Sequence, residues 1–268
     1  MKEGREKLRP HNTTPWPPRP ADMSSKTFKI AMPEGLDTHD TSPPPLPSWL
    51  KGFCVTSKAP SDVRRAGLEV CNLLADGFFK LSYDDVSVPR SMVKPGETEV
   101  PYDTAEAILV PGSPGTIFVA LRPDNTTVDP VLLARALIEE ADHVGAEGWT
   151  KTAHTQRIIP VESIAPEMDY LQLAKQIVSQ RFPEIQPQLE PKKSFAVRYE
   201  EHSPALHLNS AEVQKAVADL VPDSYTVNLE NPDLTILMVV AGGSVMMSVV
   251  EGYEKLHRFH IHSASYVA

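Results

Sequence analysis

Apolar residues in this chain follow two rhythms, and its first 47 residues follow neither. GFCVTS at 52–57 is a short run carried by Phe53, Cys54 and Val55 and predicts a strand. After it, Val63, Ala66, Val70, Cys71, Leu74 and Phe78 recur at helical spacing, with Pro60 and Ser61 placed to start the helix. Residues 82–104 are polar and Pro-containing and predict a loop. AILVPGSPGTIFVALRP predicts two strands around a Pro-Gly turn. VDPVLLARALIEEADHVG predicts a second helix, capped by Asp129, with Pro130 in its first position and Gly145 past its end. TQRIIPVESI follows as one strand. Residues 49–164 thus alternate strand, helix, strand, strand, helix, strand, an order compatible with a ferredoxin-like α+β unit.

The second half opens on the helix EMDYLQLAKQIVSQRF and passes through Pro-rich PEIQPQLEP to the strand KSFAVRYEE. NSAEVQKAVADLVP predicts a helix in which Asn209 and Glu212 have capping-box spacing. YTVNLE, LTILMVV and SVMMSVV predict strands. Asn231-Pro232-Asp233 joins the first two, and Gly242-Gly243 supplies the positive φ of a tight turn before the third. The unbroken apolar run TILMVV predicts a strand covered on both faces.

Composition changes this picture in three places. Of 268 residues 26 are Pro, and those in RPHNTTPWPPRP and DTSPPPLP sit among few apolar neighbours. Residues 1–47 therefore predict a disordered Pro-rich tail. The net charge of −9 argues against extensive nucleic-acid contact, although a local basic patch remains compatible with it. The two cysteines, Cys54 and Cys71, lie apart on apolar stripes, which predicts buried thiols and excludes a C-x-x-C zinc ribbon. No window predicts a signal peptide or a membrane span.

Candidate chemistry is sparse. PGSPGT at 111–116 lacks the G-K-[ST] ending of a phosphate loop and sits between strands. His257, His260 and His262 have ligand-like spacing without companion ligands, so no metal is expected. Glu139-Glu140 on a helix and Glu200-Glu201 on a strand point apart and form no acid/base pair. No cofactor is expected, and the chain reads as a binding module, not an enzyme.

KSFAVRYEEH, EVQKAVADLV, YTVNLENPDLTILMVV and MMSVVEGYEKLHRFHI, in that order, resemble a THUMP domain. GFCVTS with its helix, and QRIIPVESI upstream, resemble the ferredoxin-like domain and linking segment that precede it. The resemblance spans roughly residues 49–263. It implies an α+β fold with a tail at 1–47, a ferredoxin-like domain at 48–164 and a THUMP domain at 165–268. The chain ends six residues after His262, which leaves no space for a catalytic domain, and it is most similar to stand-alone eukaryotic THUMP proteins.

That similarity implies a tRNA-binding adaptor, with tRNA and an RNA cytidine acetyltransferase as partners and with no DNA or membrane partner. Its task would be N(4)-acetylcytidine formation in the D-arm of serine and leucine tRNAs, in the nucleus or nucleolus or in the cytoplasm. The expected RNA-facing residues are Lys151, Arg157, Lys192, Lys193, Arg198, His202, Lys215, Lys255, His257 and Arg258. Residues 190–268 hold six Lys or Arg against ten Asp or Glu. This balance keeps an alternative open: a diverged THUMP protein acting as a protein-interaction subunit of an RNA-processing or ribosomal assembly, with weak RNA affinity.

Overall fold

The computed structural model describes residues 45–81, 105–122, 128–148, 151–184, 192–203 and 209–261. The expectations for residues 1–44 and for the 82–104 loop lie outside these. Four strands and two helices come first: β1 (Gly52–Ser57), α1 (Val63–Leu81), β2 (Ala105–Leu109), β3 (Thr116–Leu121), α2 (Pro130–Gly148) and β4 (Thr155–Val161). The strands form one antiparallel sheet in the order β2-β3-β1-β4. Ala66, Val70, Cys71 and Leu74 of the predicted α1 stripe are all buried. Asp129 accepts the Val131 N–H at 2.7 Å, so the α2 cap is formed as its sequence indicates. Two boundaries differ. Pro60–Asp62 make a short 3-10 turn and α1 begins at Val63, which takes Ser61 away from the cap. Helix α2 runs through Gly145 to Gly148.

The remaining elements are β5 (Ser163–Pro166), α3 (Tyr170–Arg181), β6 (Ser194–Glu201), α4 (Ser210–Ala218), β7 (Thr226–Val227), β8 (Leu234–Ala241) and β9 (Ser244–Glu251). They build a five-stranded sheet, β5-β9-β8-β6-β7. Asn209 caps α4 by accepting from the Ala211 and Glu212 N–H groups. Its side-chain amide also donates to Glu212 Oε1 at 3.1 Å. Gly242 and Gly243, with φ of 55° and 72°, make the two-residue hairpin between β8 and β9, where Ala241 faces Ser244.

TQRIIPVESI is not one strand. It divides at Glu162, with β4 in the first sheet and β5 in the second. The reason is local. The Glu162 N–H donates to Met247 O at 2.9 Å and its carboxylate accepts the Val249 N–H at 2.7 Å. Both groups face β9, so the chain passes from one sheet to the other within a residue. Ser163 and Ile164 thus pair with the second sheet, two residues ahead of the expected 164/165 boundary.

Two cores meet across the second sheet. Leu237, Val239 and Ala241 of β8, with Met246 and Val250 of β9, pack into the apolar cluster built on β1, β3, α1 and α2. The alternate residues Leu234, Ile236, Met238, Val240, Val245, Met247 and Val249 pack with α3 and α4. Strand β8 is therefore buried at every position, as TILMVV predicted. The expected tail also needs a correction at its end. Leu46 is buried and its N–H donates to Ser244 Oγ at 2.7 Å, so the packed chain starts before residue 48. One leucine between prolines has no period to reveal it.

Ile236 and Leu237 face opposite sides of β8. Ile236→Ala and Leu237→Ala are each expected to cost about 2–4 kcal/mol. Because the cores meet across β8 and β9, urea unfolding should show a single transition that both substitutions move. Two transitions, each moved by one substitution, would mean that the units unfold independently.

Candidate RNA-binding surface

Chain alternation on β6 determines which charges gather. Phe195 and Val197 point toward α3 and α4, so Arg198 and Glu200 point to the side of the first sheet. There Arg157, on β4, meets Glu200 as a fork. Nη2 lies 2.9 Å from Oε1 and Nη1 hydrogen-bonds Oε2. Arg157 also donates from Nε to Arg258 O at 3.0 Å and from Nη2 to the Tyr253 hydroxyl at 3.1 Å. These bonds use four of the five guanidinium donors, and the side chain is 11% exposed. Arg157 is thus a clasp between the two sheets and the last turn. The expectation placed Arg157 toward RNA; in the fold its charge and most of its donors are engaged inside the protein.

Burial opposes the charge on Glu200, but the neighbouring His202 and the Arg157 fork outweigh it and hold this carboxyl at about 2. His202 Nε2 lies 3.6 Å from Glu200 Oε2. Desolvation, with the Glu200 charge behind it, pushes the buried Cys54 thiol up to about 12, which suits the inert role expected of it. Burial likewise lifts Cys71 to about 12.

After β9 the chain turns back over the first sheet. His257, Arg258 and Phe259 all adopt left-handed φ, at 51°, 55° and 60°. Without glycine this costs roughly 1–2 kcal/mol per residue. Offsetting contacts come from Phe259, which is fully buried with its ring 6.2 Å from that of Tyr253, and from the buried Leu256 and Ile261. The Phe259 N–H donates to Leu256 O at 2.8 Å, and a bridge from His260 to Arg157 ties the turn to β4. Burial and the nearby Arg157 charge lower the His260 pKa.

The turn sets out the cations of this surface. Arg258 Nε is 2.7 Å from Glu254 Oε2, and Arg198 Nη2 is 3.4 Å from Glu254 Oε1. Exposed Lys193 and Lys255 both lie within electrostatic reach of Asp233. An open cleft of about 320 Å³ runs beside Lys255, lined by Arg135, Asp233, Glu251 and Leu256. His257 is turned away from it, 3.0 Å from Asp142 of α2.

Three further expected residues stand apart. Lys215 is on α4, which covers the opposite face of the second sheet, and pairs with Asp219 at 2.6 Å. Lys192 donates to Asp223 O at 3.2 Å near β7. Lys151 precedes β4, 4.0 Å from Glu140. Sequence reasoning missed the acids that organise the cations: Glu200, Glu254 and Asp233. Glu254 had a signal, since it stands four residues before Arg258. Glu200 and Asp233 had none, because their partners are distant in the chain.

Residues 171–250 match the THUMP domain family. They are a THUMP domain. It implies RNA binding, and it takes in α3 through β9, stopping short of the turn that carries Lys255 and Arg258. An uncharacterized protein of Schizosaccharomyces pombe is 33% identical over 152 residues, which is 55% of this chain and 48% of the relative. The chain thus spans about half the length of that curated relative. Among solved structures, PH1313 from Pyrococcus horikoshii is similar with a TM-score of 0.43 at 13% identity, covering 76% of this chain and 56% of that one. A 4-thiouridine synthetase–RNA complex with bound ATP gives 0.38 at 11% identity, over 76% and 42%. TrmN from Thermus thermophilus gives 0.35 at 18% identity, over 75% and 45%.

Among the described residues, no cluster of three or more His, Cys, Asp or Glu could hold a metal ion. No described helix is long and apolar enough to cross a membrane. The ligand-like histidine set is divided: His257 is engaged with Asp142, and His262 lies outside the described residues.

Glu200 gives this region a pH signature. Its folded pKa of about 2 lies below the ordinary 4.5, so its contribution to stability is complete above pH 4.5 and is lost as the pH falls toward 2. Glu200→Gln is expected to cost about 2 kcal/mol at neutral pH, less than a fully buried pair because Glu200 is 24% exposed. The gap in melting temperature between the wild type and Glu200→Gln should close as the pH falls from 4.5 to 2. A constant gap would show that the fork is not what stabilises the clasp.

Proposed function

We propose that the protein is a non-catalytic tRNA-binding adaptor. It would hold serine- and leucine-type tRNAs for an RNA cytidine acetyltransferase that forms N(4)-acetylcytidine in the D-arm. The observation that carries the RNA part is the THUMP domain at 171–250. The four ordered segments that resemble a THUMP domain support the same part, and the adaptor part rests on the similarity to stand-alone THUMP proteins. Exposed Lys193, Lys255 and Arg258, with half-buried Arg198, would supply phosphate contacts around β6 of the domain. Such contacts set position and register and leave the bases unread. A folded RNA is recognised largely through shape, 2′-hydroxyls and phosphates, which suits a surface of spaced cations. Holding tRNA at one end places a distant base at a partner's active site, which is positioning and not chemistry. The acetyl-CoA and ATP chemistry belongs to the partner on this reading, and the site of action is the nucleus, the nucleolus or the cytoplasm.

One observation favours a second reading. Each candidate cation group has an acid within it: Glu200 at Arg157, Glu254 at Arg198 and Arg258, and Asp233 at Lys193 and Lys255. Such interleaving weakens the field a phosphate would meet. It fits a diverged protein-interaction subunit of an RNA-processing or ribosomal assembly with weak RNA affinity.

Purified protein mixed with tRNA, acetyl-CoA and ATP is expected to transfer no acetyl group until an acetyltransferase is added. Labelled acetate on tRNA in its absence would overturn the adaptor reading. Lys193→Glu with Lys255→Glu should leave the fold intact and weaken tRNA binding. The slope of log affinity against log salt should fall by about 1 for each contact removed. Unchanged binding at low and high salt would favour the second reading.

A further inference from the structure

Among the described residues, no strand pairs with the outer side of β7, the last strand of the second sheet. Strand β7 pairs in parallel with β6, and the ladder uses alternate residues. The Thr226 N–H donates to Lys193 O at 3.0 Å and the Asn228 N–H to Phe195 O at 2.9 Å. The N–H and C=O of Val227, between them, point away from β6. The side chains beside this free peptide group are apolar and exposed, Val227 at 63% and Leu229 at 62%. Asn228 fixes the edge. Its Oδ1 accepts the Glu230 and Asn231 N–H groups at 3.0 and 3.1 Å, and its Nδ2 donates to Asn231 O. The edge is thus held in shape by its own turn.

An open edge with exposed apolar side chains is ordinarily blunted by lysine or proline. Here the strand is two residues long and its own flanks are acidic, with Lys192 and Lys193 across from them. From Asp219 to Asp233 the chain has four acids and no Lys or Arg. Asp219 is paired with Lys215, and Asp233 accepts the Ser194 N–H and hydroxyl. Asp223 and Glu230 remain exposed on either side of the edge. Lys192 and Lys193 lie across the strand, the first donating to Asp223 O and the second near Asp233.

We propose that β7 is a docking edge for an extended, apolar and basic segment of the protein partner, added as a sixth strand of the sheet. Main-chain bonds to Val227 give affinity, Val227 and Leu229 give the apolar contacts, and Asp223 and Glu230 select basic flanks. Asp223 and Glu230 disfavour phosphate here, although the edge adjoins the cationic surface through the Thr226 bond to Lys193 O and the Arg198 bond to Leu229 O. The proposal rests on the adaptor reading, in which the partner is the acetyltransferase.

The test measures binding of the full chain to purified acetyltransferase and, separately, to tRNA. Val227→Pro removes a donor that the fold does not use, at an edge position where proline is tolerated. Leu229→Ser leaves the backbone and the charge untouched and decides the case if Val227→Pro fails to fold. Each is expected to weaken acetyltransferase binding at least about tenfold, with melting temperature and tRNA affinity unchanged. Asp223→Lys with Glu230→Lys should weaken it further at low salt than at high salt. If the wild type binds the enzyme and the folded variants bind it equally well, the docking edge is refuted and the adaptor reading stands. If tRNA affinity falls in place of enzyme affinity, the edge belongs to the RNA surface and the proposal is overturned. If the wild type does not bind the enzyme, the adaptor reading fails and takes this proposal with it.

Discussion

Strand β8 has no solvent face, and the arrangement of the molecule follows from that. Its odd-numbered residues Leu237, Val239 and Ala241 belong to the core of the first sheet, and its even-numbered residues Ile236, Met238 and Val240 to the core beneath α3 and α4. A strand buried on both sides cannot slip by one residue without exchanging the two sets. It also cannot carry charge, so ionised groups are displaced to its margins. Arg157 and Glu200 stand at one such margin. Their fork is the means by which β4, β6 and the left-handed turn can meet with charged groups between them. Removing one partner would leave the other half-buried and unpaired, which costs more than the pair contributes.

The same constraint explains what was legible in the sequence. Periodicity reports burial of an element against its neighbours, so the α1 stripe, the caps of α2 and α4 and the continuous run of β8 were all readable. A change of sheet has no period. Ile158 and Ile159 on one side of Glu162 and Ile164 on the other look alike in sequence, and the pairing of Glu162 with β9 separates them. Leu46 was hidden for the same reason, as a single anchor among prolines. The left-handed turn at 257–259 was hidden because no glycine marks it, and the buried ring of Phe259 supplies what local propensity does not.

The candidate surface was legible by residue type but not by availability. Counting cations placed Arg157, Arg198, Lys215 and Lys255 on equal terms. The fold separates them by what they touch. Arg157 is engaged inside, Lys215 is on the far helix, and Lys193 and Lys255 are exposed near one carboxylate. A salt-bridged cation still attracts phosphate, but the ligand must compete with the resident acid, and the net field is what reaches beyond a Debye length of about 8 Å. Residue counts alone therefore overstate the electrostatic part of such a surface.

That competition bears on how a protein of net charge −9 can engage a polyanion. Long-range attraction is weak for such a molecule, so encounter would not be strongly steered. Affinity must then come from contacts whose geometry is already set, because a cation held in place loses less side-chain entropy on binding. On the proposed reading, Glu254 would provide this at Arg198 and Arg258. It lowers their free charge, yet it orients both guanidinium groups from one carboxylate on a turn clamped by Phe259. The acids of this surface thus act in two directions at once, weakening attraction at a distance and ordering the donors at contact. A surface built this way discriminates by fit more than by charge, which is what recognition of a folded RNA by its shape requires.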